Sequence, residues 1–157
     1  MAKIAVKKPK ITIGWEEWCS LPDLNLPAVK AKIDTGAKTS ALHAYDIETY
    51  IRHNIPFVRF KIHPLQRDKK LYRVCEAPLV ENRTITSSNG ERELRPVILT
   101  ALTFGSVSID AELTLTSRHN MNFRMLLGRE ALRKARFVVD PARSFLLGKI
   151  KKPEKLF

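Results

Sequence analysis

The sequence predicts an all-β fold, a closed β-barrel with one short helix, and three observations carry that prediction. Short apolar and alternating segments recur along most of the chain, separated by Gly, Pro, Asn and Ser, which is the pattern of strands joined by tight turns. A single stretch, residues 130–135, has the composition of a helix. The 157 residues, 44% of them apolar, suffice to bury one core, and closing the sheet on itself removes its open edges. The expected division is a basic arm at 1–10, one barrel domain at 11–148 and a tail at 149–157.

The elements follow in order. Residues 11–15 read as a first strand with Ile11, Ile13 and Trp15 on one face, and Trp15 and Trp18 read as packing residues. Pro22, Asn25 and Pro27 mark a loop before a strand at 28–33. Residues 40–50 read as extended, with Leu42, Tyr45, Ile47 and Tyr50; 56–62 alternate as a half-buried strand; 63–70 are a polar loop; and 71–80 form a further strand. Strands at 82–86 and 92–100 flank Ser87-Ser88-Asn89-Gly90, a hairpin signal because Asn and Gly both accept positive φ. Residues 100–104 and 107–115 pair around Gly105-Ser106. Residues 120–124 lead into Met125-Leu126-Leu127-Gly128, the helix follows, and strands at 136–139 and 144–147 close the barrel.

Composition narrows the function classes. With 28 Lys+Arg against 16 Asp+Glu, the formal net charge is +12, which favours acidic partners. RNA is a candidate by charge alone, yet the basic residues are scattered and no zinc finger, recognition helix or RNA-binding signature is present. Lys7-Lys8, Lys69-Lys70 and the lysine-rich 149–152 read as solvated surface. The longest apolar runs fall short of the roughly 18 residues of a membrane span, and 1–10 is basic without an apolar stretch, so a soluble, cytoplasmic protein is expected. Cys19 and Cys75 form no close-spaced pair and read as reduced structural thiols.

Asp34 is the strongest catalytic candidate. In Ala31-Lys32-Ile33-Asp34-Thr35-Gly36-Ala37 the carboxylate follows a strand directly and sits on a tight turn. There the Asp can activate a water, the Thr hydroxyl can brace the turn, and the Gly lets backbone approach backbone. A second carboxylate sharing one proton would supply acid and base together, since like charges so close do not both ionise. Downstream stands Met125-Leu126-Leu127-Gly128-Arg129, an apolar strand ending on Gly. The two elements together are far more specific than either alone.

A strand, Asp-Thr-Gly-Ala, a long run of β segments, then two apolar residues and Gly before a short helix resembles the retropepsin-like aspartic proteases, over about residues 27–147. More closely, Lys32-Ile33-Asp34-Thr35-Gly36-Ala37-Lys38-Thr39-Ser40, Arg95-Pro96-Val97 and Leu126-Leu127-Gly128-Arg129 are similar to the bacterial family labelled ATP-dependent zinc protease. The resemblance implies that Asp34, Thr35 and Gly36 are catalytic and that Leu126, Leu127 and Gly128 pack behind them. It implies a flap in the hairpin of Ser88, Asn89 and Gly90, with Ala37, Lys38, Arg95 and Arg129 also binding a peptide or protein substrate. Because a single lobe carries one Asp-Thr-Gly, Asp34 must be presented from two chains across a two-fold axis, so a homodimer is expected.

The family label implies ATP and zinc, and the residues support neither. His43, His53, His63 and His119 are isolated and none is followed by Glu, and Gly36-Ala37-Lys38-Thr39-Ser40 lacks the first Gly of a phosphate-binding loop. A Ser nucleophile lacks its Gly-x-Ser-x-Gly turn, and Cys75 has no motif context. No cofactor and no metal are expected. One departure stands out: retroviral members follow Asp-Thr-Gly-Ala with an acidic residue able to pair with the Arg after the second Gly, whereas here Lys38 stands opposite Arg129. Lys32, Lys38, Arg92, Arg95 and Arg129 surround the two site elements and favour an acidic peptide. The resembled family is also linked to ATP-grasp ligases that add glutamates to protein tails, which points to a Glu-rich tail. Two other readings stay open: a catalytically silent retropepsin fold used as a binding module, and a basic RNA- or ribosome-associated protein.

Overall fold

Alternation of buried and exposed side chains builds most of this molecule. The computed structural model describes residues 8–87, 89–117 and 122–157. Its strands are β1 (Ile11–Ile13), β2 (Glu16–Leu21), β3 (Leu26–Ile33), β4 (Ser40–His43), β5 (Tyr45–Arg52), β6 (Ile55–Ile62) and β7 (Arg73–Pro78). They continue with β8 (Glu81–Thr86), β9 (Arg92–Phe104), β10 (Val107–Thr116), β11 (Met125–Leu127) and β12 (Phe137–Val139); the helix α1 (Arg129–Ala135) lies between the last two. Short 3-10 turns occupy Pro22–Leu24 and Pro153–Leu156.

Six strands close a barrel in the order β10-β4-β11-β3-β2-β9, with β9 returning to β10 and β8 extending the sheet from β9. The β10–β4 and β11–β3 ladders are parallel; β4–β11, β2–β3 and β9–β10 are antiparallel. Closure between β2 and β9 runs through the pair Ser20 and Thr103, beside a register shift in β2 between Cys19 and Leu21. A bulge at that place bends the strand, which is what a barrel corner requires. Inward residues such as Leu21, Leu42, Ile98, Leu113, Met125 and Leu127 are fully or almost fully buried. Burying each such side chain stabilises the fold by about 1.5–3 kcal/mol before the entropy of ordering it is counted. A separate sheet, β5-β6-β7, adds Val58, Phe60 and Ile62 to the core.

The all-β closed barrel with one α-helix stands as expected, but three local expectations are corrected. The strand expected at 11–15 breaks at Gly14, where a Cβ would lie 2.3 Å from the Arg143 carbonyl oxygen. Residues 16–21, not assigned to a strand from the sequence, form β2. Their two glutamates hid the pattern, because Glu17 is buried as a hydrogen-bond acceptor: it takes the amides of Gly14 (2.7 Å), Leu146 (2.9 Å) and Leu147 (3.0 Å). That carboxylate also explains why 144–147 is not a strand. Its amides serve Glu17, Phe145 turns to φ 55°, and one main-chain bond, Phe145 N to Glu16 O at 3.0 Å, replaces a ladder. The segments expected at 92–100 and 100–104 are one continuous strand, β9. Part of the expected 120–124 lead-in lies outside the described residues. At the C-terminus Phe157 packs against the core, with Arg73 over its ring at 5.4 Å. Among the described residues no helix is long and apolar enough to cross a membrane.

Candidate active site

β3 delivers Asp34 to the rim of the barrel, and β11, its parallel neighbour, fixes it there. The Asp34 amide donates to the Leu127 carbonyl at 2.9 Å, continuing the ladder that pairs Leu127 with Ile33. The turn closes on itself: the Gly36 amide donates to Asp34 Oδ1 at 3.1 Å and the Ala37 amide to the Asp34 carbonyl at 3.2 Å. One carboxylate oxygen is thus oriented by the backbone of its own turn. Asp34 is half-buried, while Thr35 and Gly36 are exposed.

Behind the turn, Leu127 and Gly128 are buried. A Cβ on Gly128 would lie 2.8 Å from the Thr39 carbonyl carbon and 3.0 Å from the Ala37 oxygen, so this position tolerates no side chain. The Gly128 amide donates to Ser40 Oγ at 2.9 Å, and the amides of Arg129 and Glu130 donate to the carbonyls of Ala37 and Lys38 at 2.8 and 3.1 Å. The start of α1 and the Asp34 turn are therefore one hydrogen-bonded unit. Ser40 was quoted in the motif but given no role by sequence; the structure shows it as the acceptor that holds the Leu-Leu-Gly strand to β4.

Asp34, Gly36, Ala37, Lys38 and Leu126 line a groove of about 870 Å³, whose other wall is the β8–β9 hairpin. Arg95 lines it from β9, and β8 contributes Arg83 and Ile85, which sequence reasoning missed although β8 alternates as a strand should. Asn89 and Gly90 stand exposed at the hairpin tip, outside the groove lining, and Ser88 lies outside the described residues. The turn also differs from the Asn-Gly expectation. Gly90 alone of that pair has positive φ, 87°, because the loop spans residues 87–91 and Asn89 Oδ1 accepts the amide of Glu91.

Each cation of this groove has a partner. Arg95, buried, donates from Nε to Glu93 at 3.0 Å; Arg83 donates to Glu81 and, at 2.8 Å, to Glu112, bonds that raise its already high pKa. Lys38 meets Glu130 at 3.8 Å, an exposed pair of little energetic weight. Arg129, which finds no carboxylate at Lys38, donates instead to the Thr35 carbonyl at 2.9 Å, and it lines a different groove together with Thr35. Lys32 extends over the Phe123 ring at 5.9 Å, and Arg92 is exposed at the start of β9. The sequence grouped these five cations in one cleft; the structure separates them.

The donor set does not fit zinc: among the described residues no group of three or more His, Cys, Asp or Glu side chains comes together. His63 stacks on Tyr45 at 4.6 Å and bonds to the Leu71 carbonyl, and His53 sits in a turn at φ 52°. The Gly36 amide that a phosphate would need is held by Asp34.

Comparison with known proteins agrees with this geometry. Residues 12–150 match the family model described as RimB-like, retropepsin-like aspartic endopeptidase RimB. Proteins named probable alpha-L-glutamate ligase are similar too: one from Shewanella pealeana is 48% identical over 139 residues, and one from Desulfotalea psychrophila is 46% identical over 143. These matches take in 88% and 91% of this chain but 30% and 31% of those proteins, so the chain spans under a third of the length of these relatives. The crystal structure of a Legionella pneumophila protein of unknown function superposes with a TM-score of 0.73 at 31% identity, covering 87% of this chain and 97% of that one. The chain belongs to the RimB-like family of retropepsin-like aspartic endopeptidases.

Proposed function

We propose that this protein is an aspartic-type endopeptidase whose active site is an Asp34 pair formed in a homodimer, and that its substrates are acidic peptides, glutamate-rich tails in particular. The observation that carries the reading is the Asp34 turn itself, a half-buried carboxylate on a groove of about 870 Å³ walled by a β-hairpin. One lobe holds one such turn, and its Thr35 and Gly36 are exposed where an isologous contact would lie.

In the reaction one Asp34 is ionised and takes a proton from water as the water oxygen attacks the scissile carbonyl carbon. The other Asp34, protonated, donates to the carbonyl oxygen. Roles then reverse, a proton passes to the amide nitrogen, and the C–N bond breaks to leave an acid and an amine. Thr35 would reach across the two-fold axis and Gly36 would keep the backbones close. The hairpin that carries Ser88, Asn89 and Gly90 would close over the peptide and exclude water. Neither zinc nor ATP enters any step.

The substrate class draws support from the net charge of +12 and from the relatives' name. A ligase that forms glutamyl peptide bonds makes the kind of bond that this site would hydrolyse. The second reading, a silent retropepsin fold serving as a binding module, draws on the same relatives, in which the matched part is about 30% of a protein named for ligation. Incubation with a peptide ending in a run of glutamates, followed by mass spectrometry, separates the two. Cleavage that disappears in Asp34→Asn supports the peptidase; binding without cleavage by the unaltered protein supports the module.

A further inference from the structure

The cations without partners lie on the far side of the Asp34 turn. A second groove, of about 560 Å³, is lined by Lys10, Arg129, Arg133 and Arg136 together with Leu132 and the strand β12. No Asp or Glu lines it, and among the described residues none of the four cations makes an ion pair. The residues outside the description contain no Asp or Glu. Arg129, Arg133 and Arg136 follow one another at the spacing of a helix face. Arg136 sits at the helix end with φ 57°, a conformation usually left to Gly or Asn, and its Nε is buried with no hydrogen-bond partner among the described residues. The two grooves meet at the catalytic turn: Asp34 and Gly36 line the first, Thr35 the second.

We propose that this second groove is an exosite for an acidic peptide segment, the continuation of a substrate whose scissile bond lies at Asp34. The proposal rests on the peptidase reading only in naming that peptide a substrate. Charge complementarity selects an anion, and two features select a peptide over a nucleic acid. β12 pairs with β1 alone, and the bonds Ile11 N to Arg136 O and Asp140 N to Ile13 O turn alternate main-chain groups toward β1. Those of Phe137 and Val139 are left on the open edge, where an extended chain can add as a strand. The aromatic ring at hand offers no stacking platform, because Phe137 packs edge-on against Phe104 at 5.5 Å. Sequence-tolerant binding of single strands relies on free rings.

The test uses the full chain carrying Asp34→Asn, with fluorescein-labelled hexaglutamate as probe and hexaglutamine and oligouridylate as comparisons. Hexaglutamate is expected to bind at low salt, to weaken as salt rises, and to bind about tenfold more weakly when Lys10→Ala and Arg133→Ala are added. Thermal melting establishes that the added substitutions leave the fold intact. Undiminished affinity in that variant would overturn the proposal, as would oligouridylate outbinding hexaglutamate through the same two residues. A change in the monomer–dimer equilibrium with unaltered peptide affinity per chain would assign the face to a second copy and overturn it as well. Hexaglutamate bound through this groove by an unaltered protein that cleaves nothing would remove the peptidase reading and leave a peptide-binding groove standing.

Discussion

Ser40 and Gly128, 88 residues apart in sequence, share a buried 2.9 Å hydrogen bond directly behind the Asp34 turn. The two positions are fixed by opposite means, one by a hydroxyl that must be present and the other by a side chain that must be absent. Ser40→Ala orphans a buried amide and should cost about 1–3 kcal/mol. Gly128→Ala drives a methyl into the Thr39 and Ala37 backbone and should cost about as much or more. Urea unfolding measures both, and a variant within about 0.5 kcal/mol of the parent would contradict the arrangement.

Glu17 holds three amides with no exposed surface, so Glu17→Ala leaves Gly14, Leu146 and Leu147 without their acceptor. A loss of about 3 kcal/mol or more is expected in denaturant unfolding, together with faster hydrogen exchange at residues 144–148. Unchanged exchange there would mean that the segment is held by something else.

The two cysteines should be inert in the native protein. Burial pushes the Cys75 thiol up to about 11 and the Cys19 thiol further still, so both stay protonated at pH 8. Ellman's reagent at that pH should find no rapidly reacting thiol before denaturation and two after it, the number in the sequence. Rapid reaction of either native thiol would contradict their placement in the core.

Gly90 has φ 87° and no atom within 4 Å of where a Cβ would stand. Gly90→Ala therefore meets backbone strain of about 1 kcal/mol but no clash. If the hairpin closes over substrate, turnover should change more than global stability does. Kinetics identical to the parent would make it a structural hairpin only.

What was legible in the sequence was what local chemistry dictates. The Asp-Thr-Gly turn, the Leu-Leu-Gly strand, the alternation of 56–62 and the helix after Gly128 each depend on a few neighbouring residues. What escaped depends on partners far away in the chain. β2 was hidden because its glutamate finds amides beyond residue 140, and the strand expected at 144–147 failed for the same reason. The cations around Asp34 looked like one cleft because proximity in sequence says nothing of which side of a turn each faces. Arg129 and Arg133 open away from Arg83 and Arg95, and Glu93 and Glu112 neutralise the latter pair.

The central claim, a carboxylate pair contributed by two chains, is tested most directly by mixing subunits. Asp34→Asn homodimers should lose hydrolysis of a glutamate-rich peptide by about two to four orders of magnitude with little change in stability. Mixed dimers would each lack one carboxylate. Adding a ninefold excess of Asp34→Asn subunits to the unaltered protein and allowing exchange should therefore reduce total activity to about a tenth, since both Asp34 residues must come from active chains. Activity that stays at its starting value after exchange would contradict a shared site.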